Sequence, residues 1–272
     1  MDRTLEDIEF LASSQHRVGV LDALIETPRD RRDLRTATGA SSPTMGRVLT
    51  DLEDRHWIVK AGQTYELTDL GEFVATRLRA FRDDMRLEHA VREVWRWLPH
   101  ELEDFTIELF ADLVVSRPGP GYPYQPVERV TELVQNAGLM RGFGMVMLKS
   151  SNLEVFFARS LEDLRSDYVY PPEAFEQILA WDPEAVLKAV QHTNCTVWLH
   201  PDLPLDDRCG ICLFDDHVSI CCYDGETGTL QATIDTGSPE LVGWAESYYE
   251  RLRAEATPFH DADDLVSVDS YV

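Results

Sequence analysis

The sequence predicts an α+β chain in two parts. A small helical domain closed by a β-hairpin comes first, then a long helical segment, then an α/β domain. Three observations lead there. Residues 28–67 hold two short helices around a glycine turn, followed by a glycine-tipped hairpin. Helical apolar spacing then persists over 69–98, and from residue 127 short apolar strands alternate with helices as far as 256.

Composition bounds the reading. A chain of 272 residues with 44% hydrophobic side chains can bury a sizeable core, and two domains are expected. No apolar run approaches the roughly 18 residues of a membrane span. The N-terminus MDRTLEDIEF is acidic and amphipathic, unlike a secretory leader. A cytoplasmic location and no membrane partner are therefore expected.

Charge is the unusual quantity, at −24 with a pI near 4.6. Residues 1–80 carry 11 basic and 14 acidic side chains, and residues 81–272 carry 14 and 35. The window 27–62 holds seven basic and five acidic residues, so it is locally +2. Only Lys60, Lys149 and Lys188 of the 25 basic residues are lysine. Abundant acid with scarce lysine is the surface of a protein from a salt-accumulating halophile, where the Debye length falls to about 3 Å and acidic self-repulsion is tolerable. The alternative is an acidic protein of an ordinary cytosol that avoids nucleic acid.

Residues 4–12 and 14–26 read as helices, the second with Val18, Leu21, Leu24 and Ile25 as its inner stripe. Arg17 either approaches a DNA backbone or faces solvent, and His16 and His56 are read as structural. A helix over 30–38 places Leu34 and Ala37 inward, and Gly39 supplies its left-handed stop. Ser41 or Ser42 caps the next helix, with Pro43 in its first turn. Met45, Val48, Leu49 and Leu52 form that helix's buried stripe. Ser42, Pro43, Thr44, Gly46, Arg47 and Thr50 remain outside: small or hydrogen-bonding residues with one arginine, the composition of a helix that enters a major groove. Trp57 to Val59 and Thr64 to Leu67 make a hairpin around Ala61-Gly62-Gln63, and Thr68 or Asp69 caps a further helix. Helix, turn, helix and wing in one run point to DNA binding by a recognition helix over 42–55 and a wing over 57–67, rather than to an ordinary helical hairpin. The candidate contacts are Ser41, Ser42, Pro43, Thr44, Gly46, Arg47 and Thr50, with Gly62, Gln63 and Thr64 at the wing. Because high salt suppresses counterion release, such a contact would rest on shape and hydrogen bonds.

The run GASSPTMGRVLTDLEDRHWI followed by YELTDLGEFVA resembles the winged helix-turn-helix domains of archaeal transcription regulators, over about residues 5–80. The resemblance implies that Ser42 to Thr50 face DNA and that the Gly62 turn is the wing tip.

Residues 69–98 read as one long helix with an apolar seam at Leu70, Phe73, Val74, Leu78, Phe81 and Met85, continued by Val91, Val94, Trp95 and Leu98. That seam must be covered, either by its own domain or by the same helix of a second subunit; a homodimer suits two half-sites. Pro99 stops the helix, and Leu102, Phe105, Ile107, Leu109, Phe110 and Leu113 begin another amphipathic segment. SRPGPGYPYQP at 116–126 holds four of the 14 prolines and is read as the domain boundary. The expected domains are 1–68, a helical linker or dimerisation segment over 69–126, an α/β domain over 127–257, and an acidic tail over 258–272.

In the α/β domain, helices are expected at 127–136, 153–164, 172–181, 183–191 and 239–256, and strands at 142–149, near Tyr168, and at 196–200, 210–214, 218–223 and 230–234. FDDHVSICCYDGETGTLQATIDTGSPELVGWAESYYERLR is similar to the FilR1-type sensor domain of archaeal regulators, over roughly 127–256. That resemblance implies kinship with phospholipase D-like folds, but their His-x-Lys signature is missing here, so it implies no catalysis.

All five cysteines lie in this domain. A two-residue turn at Asp215-Asp216 sets Cys209 opposite Cys222 and Cys212 diagonal to Cys221. The cysteines fill the sheet core, form a redox switch through Cys209 and Cys222 with Cys212 and Cys221 as further candidates, or hold zinc with His217, His200 or His192. Strand alternation argues against the metal. No catalytic set stands out: Asp206-Asp207 and Asp261, Asp263 and Asp264 are loop or tail acids, and DGETG lacks the spacing of a calcium loop. The expectation is a non-enzymatic, cofactor-free regulator of double-stranded DNA acting as a homodimer. Its second domain answers an unknown small-molecule effector. The rivals are a thiol-based redox regulator, a purely assembling second domain, and a nucleic-acid-targeted hydrolase.

Overall fold

The computed structural model describes residues 2–110, 112–144, 150–192, 194–203, 208–224 and 226–260. The chain divides into two compact units, residues 1–86 and 87–272.

The first unit runs α1 (Arg3–Ala12), α2 (Gln15–Glu26), β1 (Arg29–Asp30), α3 (Arg31–Thr38), α4 (Ser42–Glu53), β2 (Ile58–Ala61), β3 (Thr64–Leu67) and into α5 (Asp69–Arg92). Side chains cap four of these helices: Asp2, Ser14, Asp30 and Ser41 each accept a first-turn backbone N–H. Gly39 ends α3 at φ 67°, the left-handed stop expected of it. The hairpin β2–β3 gains a third strand that no apolar pattern announced, giving the order β1-β3-β2. Val20, Leu21, Leu24, Leu34, Met45, Val48, Leu49, Leu52, Trp57, Ile58 and Tyr65 form the core.

Three expectations change here. Val20, not Val18, is the buried valine of α2, and Val18 and Ile25 are half-buried. Ala37 is exposed, and Thr38 tucks in behind Leu34 instead. The first strand of the wing begins at Ile58, with Trp57 buried just before it. One glycine is required by close approach: a Cβ on Gly71 would sit 1.7 Å from the Trp57 carbonyl oxygen, so α5 starts flush against that peptide.

The helix α5 ends at Arg92 rather than at 98, and a 3-10 turn follows at Trp95–Trp97. Its seam is covered only in part by its own unit: Val74 and Leu78 pack half-buried against that core, and the others from Leu70 to Met85 are open. Leu70 is 52%, Phe73 63%, Phe81 58% and Met85 38% exposed.

In the second unit, the amphipathic segment expected after Pro99 is not a helix. It is a chain of turns with one 3-10 piece at Ile107–Leu109, broken by Asp104 at φ 60° and Asp112 at φ 50°. Its apolar residues are nonetheless core: Val91, Val94, Leu98, Leu102, Phe105 and Phe110 are buried together. The boundary between units therefore lies near residue 86, upstream of the expected one at 116–126. The proline-rich stretch lies within the second unit, where β4 (Val114–Ser116) joins the sheet.

The order continues α6 (Gln125–Asn136), β5 (Leu139–Gly144), α7 (Ser150–Glu162), β6 (Arg165–Tyr170), α8 (Pro172–Trp181), α9 (Pro183–Val190), β7 (Cys195–Leu199), β8 (Cys209–Phe214), β9 (His217–Tyr223), β10 (Leu230–Thr236), α10 (Pro239–Glu255) and β11 (Thr257–Pro258). The strand expected at 142–149 starts earlier, at Leu139, and is described as far as Gly144; residues 145–149 lie outside the described residues. One eight-stranded sheet results, ordered β11-β7-β6-β5-β8-β9-β10-β4, with β5–β6–β7 parallel and the other pairings antiparallel. Side chains of α6 to α9 cover one face, and α10 with the 91–110 segment covers the other. Between α6 and the sheet, Arg129 clamps the carboxylate of Asp235 with Nη2 at 2.5 Å and Nε at 3.1 Å; the Asp235 side chain is only 1% exposed. The start of the tail is docked: β11 pairs with β7, Phe259 is buried, and its N–H donates to Val197 O at 2.9 Å. Asp206-Asp207 and residues 261–272, with Asp261, Asp263 and Asp264, lie outside the described residues.

Candidate nucleic-acid interface

The helix α4 is built to show one face. Met45, Val48, Leu49 and Leu52 are buried, at most 4% exposed. That packing turns Ser42, Pro43, Arg47 and Thr50 outward, with Thr44 and Gly46 half-buried at the margin. Ser41 is the N-cap: its Oγ accepts from Thr44 N–H at 3.3 Å and shares a hydrogen bond with Thr44 Oγ1 at 2.9 Å. These two hydroxyls are therefore partly spent on holding the helix start.

Gly46 is not an open contact point. Arg31 of α3 reaches across to donate to Ser42 O at 2.8 Å, and a Cβ on Gly46 would come within 2.9 Å of the same Nη2. The glycine makes room for a guanidinium, so Arg31 joins the outer face beside Gly46.

Ion pairing separates this face from most of the unit, although Arg3 and Arg77 also lack an ion pair among the described residues. Arg17 pairs with Asp51 at 3.1 Å, Arg55 with Asp7 at 3.3 Å, Arg82 with Asp22 at 2.5 Å and Arg29 with Glu26 at 3.6 Å. Among the described residues, Arg31, Arg32, Arg35, Arg47 and Lys60 make no ion pair. Arg35 Nε donates to Ala40 O at 3.4 Å, and the Lys60 ammonium lies 5.9 Å from the Tyr65 ring. Of the arginines, the sequence pointed to Arg47 and, as one of two readings, Arg17; the signal passed over was the density of arginine at 31, 32 and 35, which lies on α3. Arg17 is settled as structural, donating to Phe10 O at 2.8 Å and stacking on the Phe10 ring. His16 Nδ1 lies 3.2 Å from Thr38 O, and His56 takes a positive φ of 57° in the turn before β2.

At the wing, Ala61 pairs with Thr64, so the loop is two residues long, with Gly62 at φ 65°. Gly62 and Gln63 are exposed, whereas Thr64 turns its hydroxyl back to Ala61 O at 3.1 Å and closes the loop.

The cysteine register is as expected: Cys209 lies opposite Cys222, and Cys212 lies opposite Ser219 with Cys221 on its diagonal. Cys209 and Cys222 belong to the core under α10; Cys195, Cys212 and Cys221 belong to the core under α6 to α9. All five thiols are free and buried. Burial pushes the Cys209 thiol up to about 12 and also raises Cys222 and Cys195, while Cys212 is raised by its hydrogen bond with Cys221 and by burial. Cys221 goes the other way, lowered by its hydrogen bond with Cys212, but Cys209 and Cys222, the pair set opposite one another, present almost no thiolate to an oxidant, which weighs for the core reading and against a switch through them. Among the described residues no three His, Cys, Asp or Glu side chains converge to hold a metal. The histidines proposed for zinc are dispersed: His200 sits 3.6 Å from Glu255, and His217 sits beside Asp216 at 3.8 Å.

Among the described residues no helix is long and apolar enough to cross a membrane. Comparison with known proteins bears on both units. Residues 5–90 match the family model of the HVO_A0261 N-terminal domain, and residues 123–255 match that of the middle domain of the methanogenesis regulatory protein FilR1. No curated protein matches the chain. Among solved structures, TrmBL2, an archaeal chromatin protein, aligns at 11% identity and a TM-score of 0.43 over 93% of this chain and 98% of that one. The phospholipase D family member Nuc from Salmonella typhimurium aligns at 10% identity and 0.41 over 55% of this chain and 99% of its own, and NucT from Helicobacter pylori at 12% and 0.40 over 54% and 98%. On the two family matches, which follow one another along most of its length, the chain belongs with the archaeal transcription regulators that join an HVO_A0261-type N-terminal domain to a FilR1-type middle domain.

Proposed function

We propose that the chain reads double-stranded DNA sequence-specifically as a homodimer, with α4 in the major groove and the β2–β3 wing against the adjacent backbone. Ser42, Pro43, Arg47 and Thr50 face base edges, while Arg31, Arg32, Arg35 and Lys60 hold phosphates, with Gly62 and Gln63 at the wing tip. One observation carries this reading. In a chain of net charge −24, the densest run of cations without a carboxylate partner among the described residues, Arg31, Arg32, Arg35, Arg47 and Lys60, falls on the helix-turn-helix and its wing, while the others, Arg3, Arg77, Arg96, Arg165 and Lys188, are scattered along the chain. Every unpaired guanidinium there is available to a phosphate or a guanine, whereas Arg17 of α2, Arg55 in the turn after α4, and Arg79 and Arg82 of α5 are committed to Asp51, Asp7 and Asp22.

The second unit acts as the regulatory partner, binding a small-molecule effector and altering the spacing of two reader helices rather than catalysing a reaction. The chain lacks a His-x-Lys pair, which supports a non-catalytic reading. The test is a mobility-shift series in molar KCl on genomic fragments. Arg47→Ala is expected to lose roughly tenfold or more in affinity for the preferred fragment, equivalent to about 1–3 kcal/mol, and to relax base preference at one position. Unchanged affinity and unchanged preference would remove α4 from the reading role.

A further inference from the structure

The exposed seam of α5 has its own logic. Leu70, Phe73, Phe81 and Met85 recur at helical spacing on one side of the helix, and Gly71 and Ala75 turn the neighbouring side into the unit's own core. Two charges interrupt this apolar stripe, Arg77 and Asp84, two turns apart. Both are exposed, and among the described residues neither makes an ion pair, although Arg79, Arg82 and Arg86 around them all do. Arg77 only leans over the Phe73 ring, 5.8 Å from its centroid.

A second copy of α5 is the partner whose charges fit this pattern. Two identical helices side by side in parallel set Arg77 against Arg77 and Asp84 against Asp84, a repulsive match. Two such helices in antiparallel, crossing between Ala80 and Phe81, set each Arg77 against the other copy's Asp84, twice, by symmetry. The same crossing point is the midpoint of the 24-residue helix, so the two α5 centres coincide and overlap is greatest. Phe81 then lies at the centre of the contact, flanked by the two ion pairs.

We propose that the chain dimerises through an antiparallel pairing of α5 with α5, in which Phe81 is the apolar centre and the reciprocal Arg77–Asp84 pairs fix orientation. This deepens the reading of the protein as a dimeric DNA reader, and a mass measured without DNA keeps the two claims separable. The particle mass of the full chain is measured by sedimentation velocity at micromolar concentration, at the lowest salt that preserves the far-ultraviolet circular dichroism. The wild type is expected at twice the monomer mass of 31.0 kDa. Phe81→Glu is expected to be monomeric with its dichroism unchanged. Arg77→Asp and Asp84→Arg, each alone, are expected to weaken dimerisation roughly tenfold or more, because like charges then meet at both ends, and the double charge swap is expected to restore it. A monomeric wild type overturns the proposal, as does a dimer indifferent to Phe81→Glu. Single swaps without effect, or a double swap no better than the singles, overturn the antiparallel orientation and with it the proposal.

Discussion

Replacing Gly71 by alanine sets two effects of opposite sign against each other. Alanine is favoured over glycine in a helix by about 1 kcal/mol, so propensity alone makes the variant more stable. The local geometry says otherwise. The new methyl would lie 1.7 Å from Trp57 O and 2.6 Å from Trp57 C, both backbone atoms that cannot rotate away. Restoring ordinary contact near 3.4 Å requires the start of α5 to retreat from the Trp57 peptide. That retreat pulls on Thr68, whose N–H donates to Trp57 O at 3.1 Å and whose Oγ1 donates to His56 O at 2.6 Å. Losing two such bonds costs about 0.5–1.5 kcal/mol each, and overpacking a core contact about 1–3 kcal/mol. Against the propensity gain, the net cost is about 3 kcal/mol, a large part of the stability of a small unit. Gly243, on the exposed side of α10, is the matched control, since nothing lies within 4 Å of a Cβ built there. Gly243→Ala is expected to stabilise by up to about 1 kcal/mol. Denaturant titration reads both, followed for the first unit by fluorine NMR of Trp57, its one tryptophan, in fluorotryptophan-labelled protein. The close-approach argument is falsified if Gly71→Ala stabilises the first unit as Gly243→Ala stabilises the second.

Three further outcomes follow from features already described. Removing Arg129 as Arg129→Met strands the Asp235 carboxylate, 1% exposed, without its counter-ion; a loss of about 3–5 kcal/mol is expected by denaturant titration, and a loss under 1 kcal/mol would show that the carboxylate finds another partner. The raised thiol of Cys209 binds its proton up to about 12 in the fold, against an ordinary value of 9.0, so its contribution to stability is whole below pH 9 and is lost as pH climbs from there towards 12. Native protein at pH 8 should accordingly leave Cys209 and Cys222 unlabelled by a thiol reagent until it unfolds, and rapid native labelling of either would reopen the redox reading. Lys60→Ala should leave base preference intact but reduce the salt slope of DNA binding by roughly 0.9 for each lost phosphate contact; a change in preference instead would place Lys60 at a base.

What could be read from the sequence divides along the range of the forces involved. The helix-turn-helix was legible because its signals are local: Gly39 at a left-handed stop, Ser41 capping Thr44, and Met45, Val48, Leu49 and Leu52 spaced for one helix face. The Cys209–Cys222 register was legible too, because a two-residue turn fixes it arithmetically. The segment from Val91 to Phe110 misled because apolar spacing measures burial and not backbone form. Most of its apolar residues are buried as that spacing suggests, Trp95 excepted at 41% exposed, yet Asp104 and Asp112 at positive φ hold the chain in turns. The start of β5 escaped the apolar pattern, since pairing with β6 and β8 already begins at Leu139 and Met140. Arg31 escaped notice because its role exists only once α3 and α4 cross and Gly46 leaves space for it.

The two outer strands of the large sheet bear on how crowded copies of this protein behave. β4 offers three residues and β11 two, the second of them Pro258, which has no N–H to give. A neighbouring chain seeking to extend the sheet meets either a ladder too short to hold it or a rim with a donor missing. The interior strands β5, β8 and β9, rich in apolar side chains and long enough to template a fibre, are each paired on both sides. Edge-to-edge growth of this sheet is thus disfavoured by its own short rims, and the abundant carboxylates of the chain need not carry the whole task of keeping copies apart.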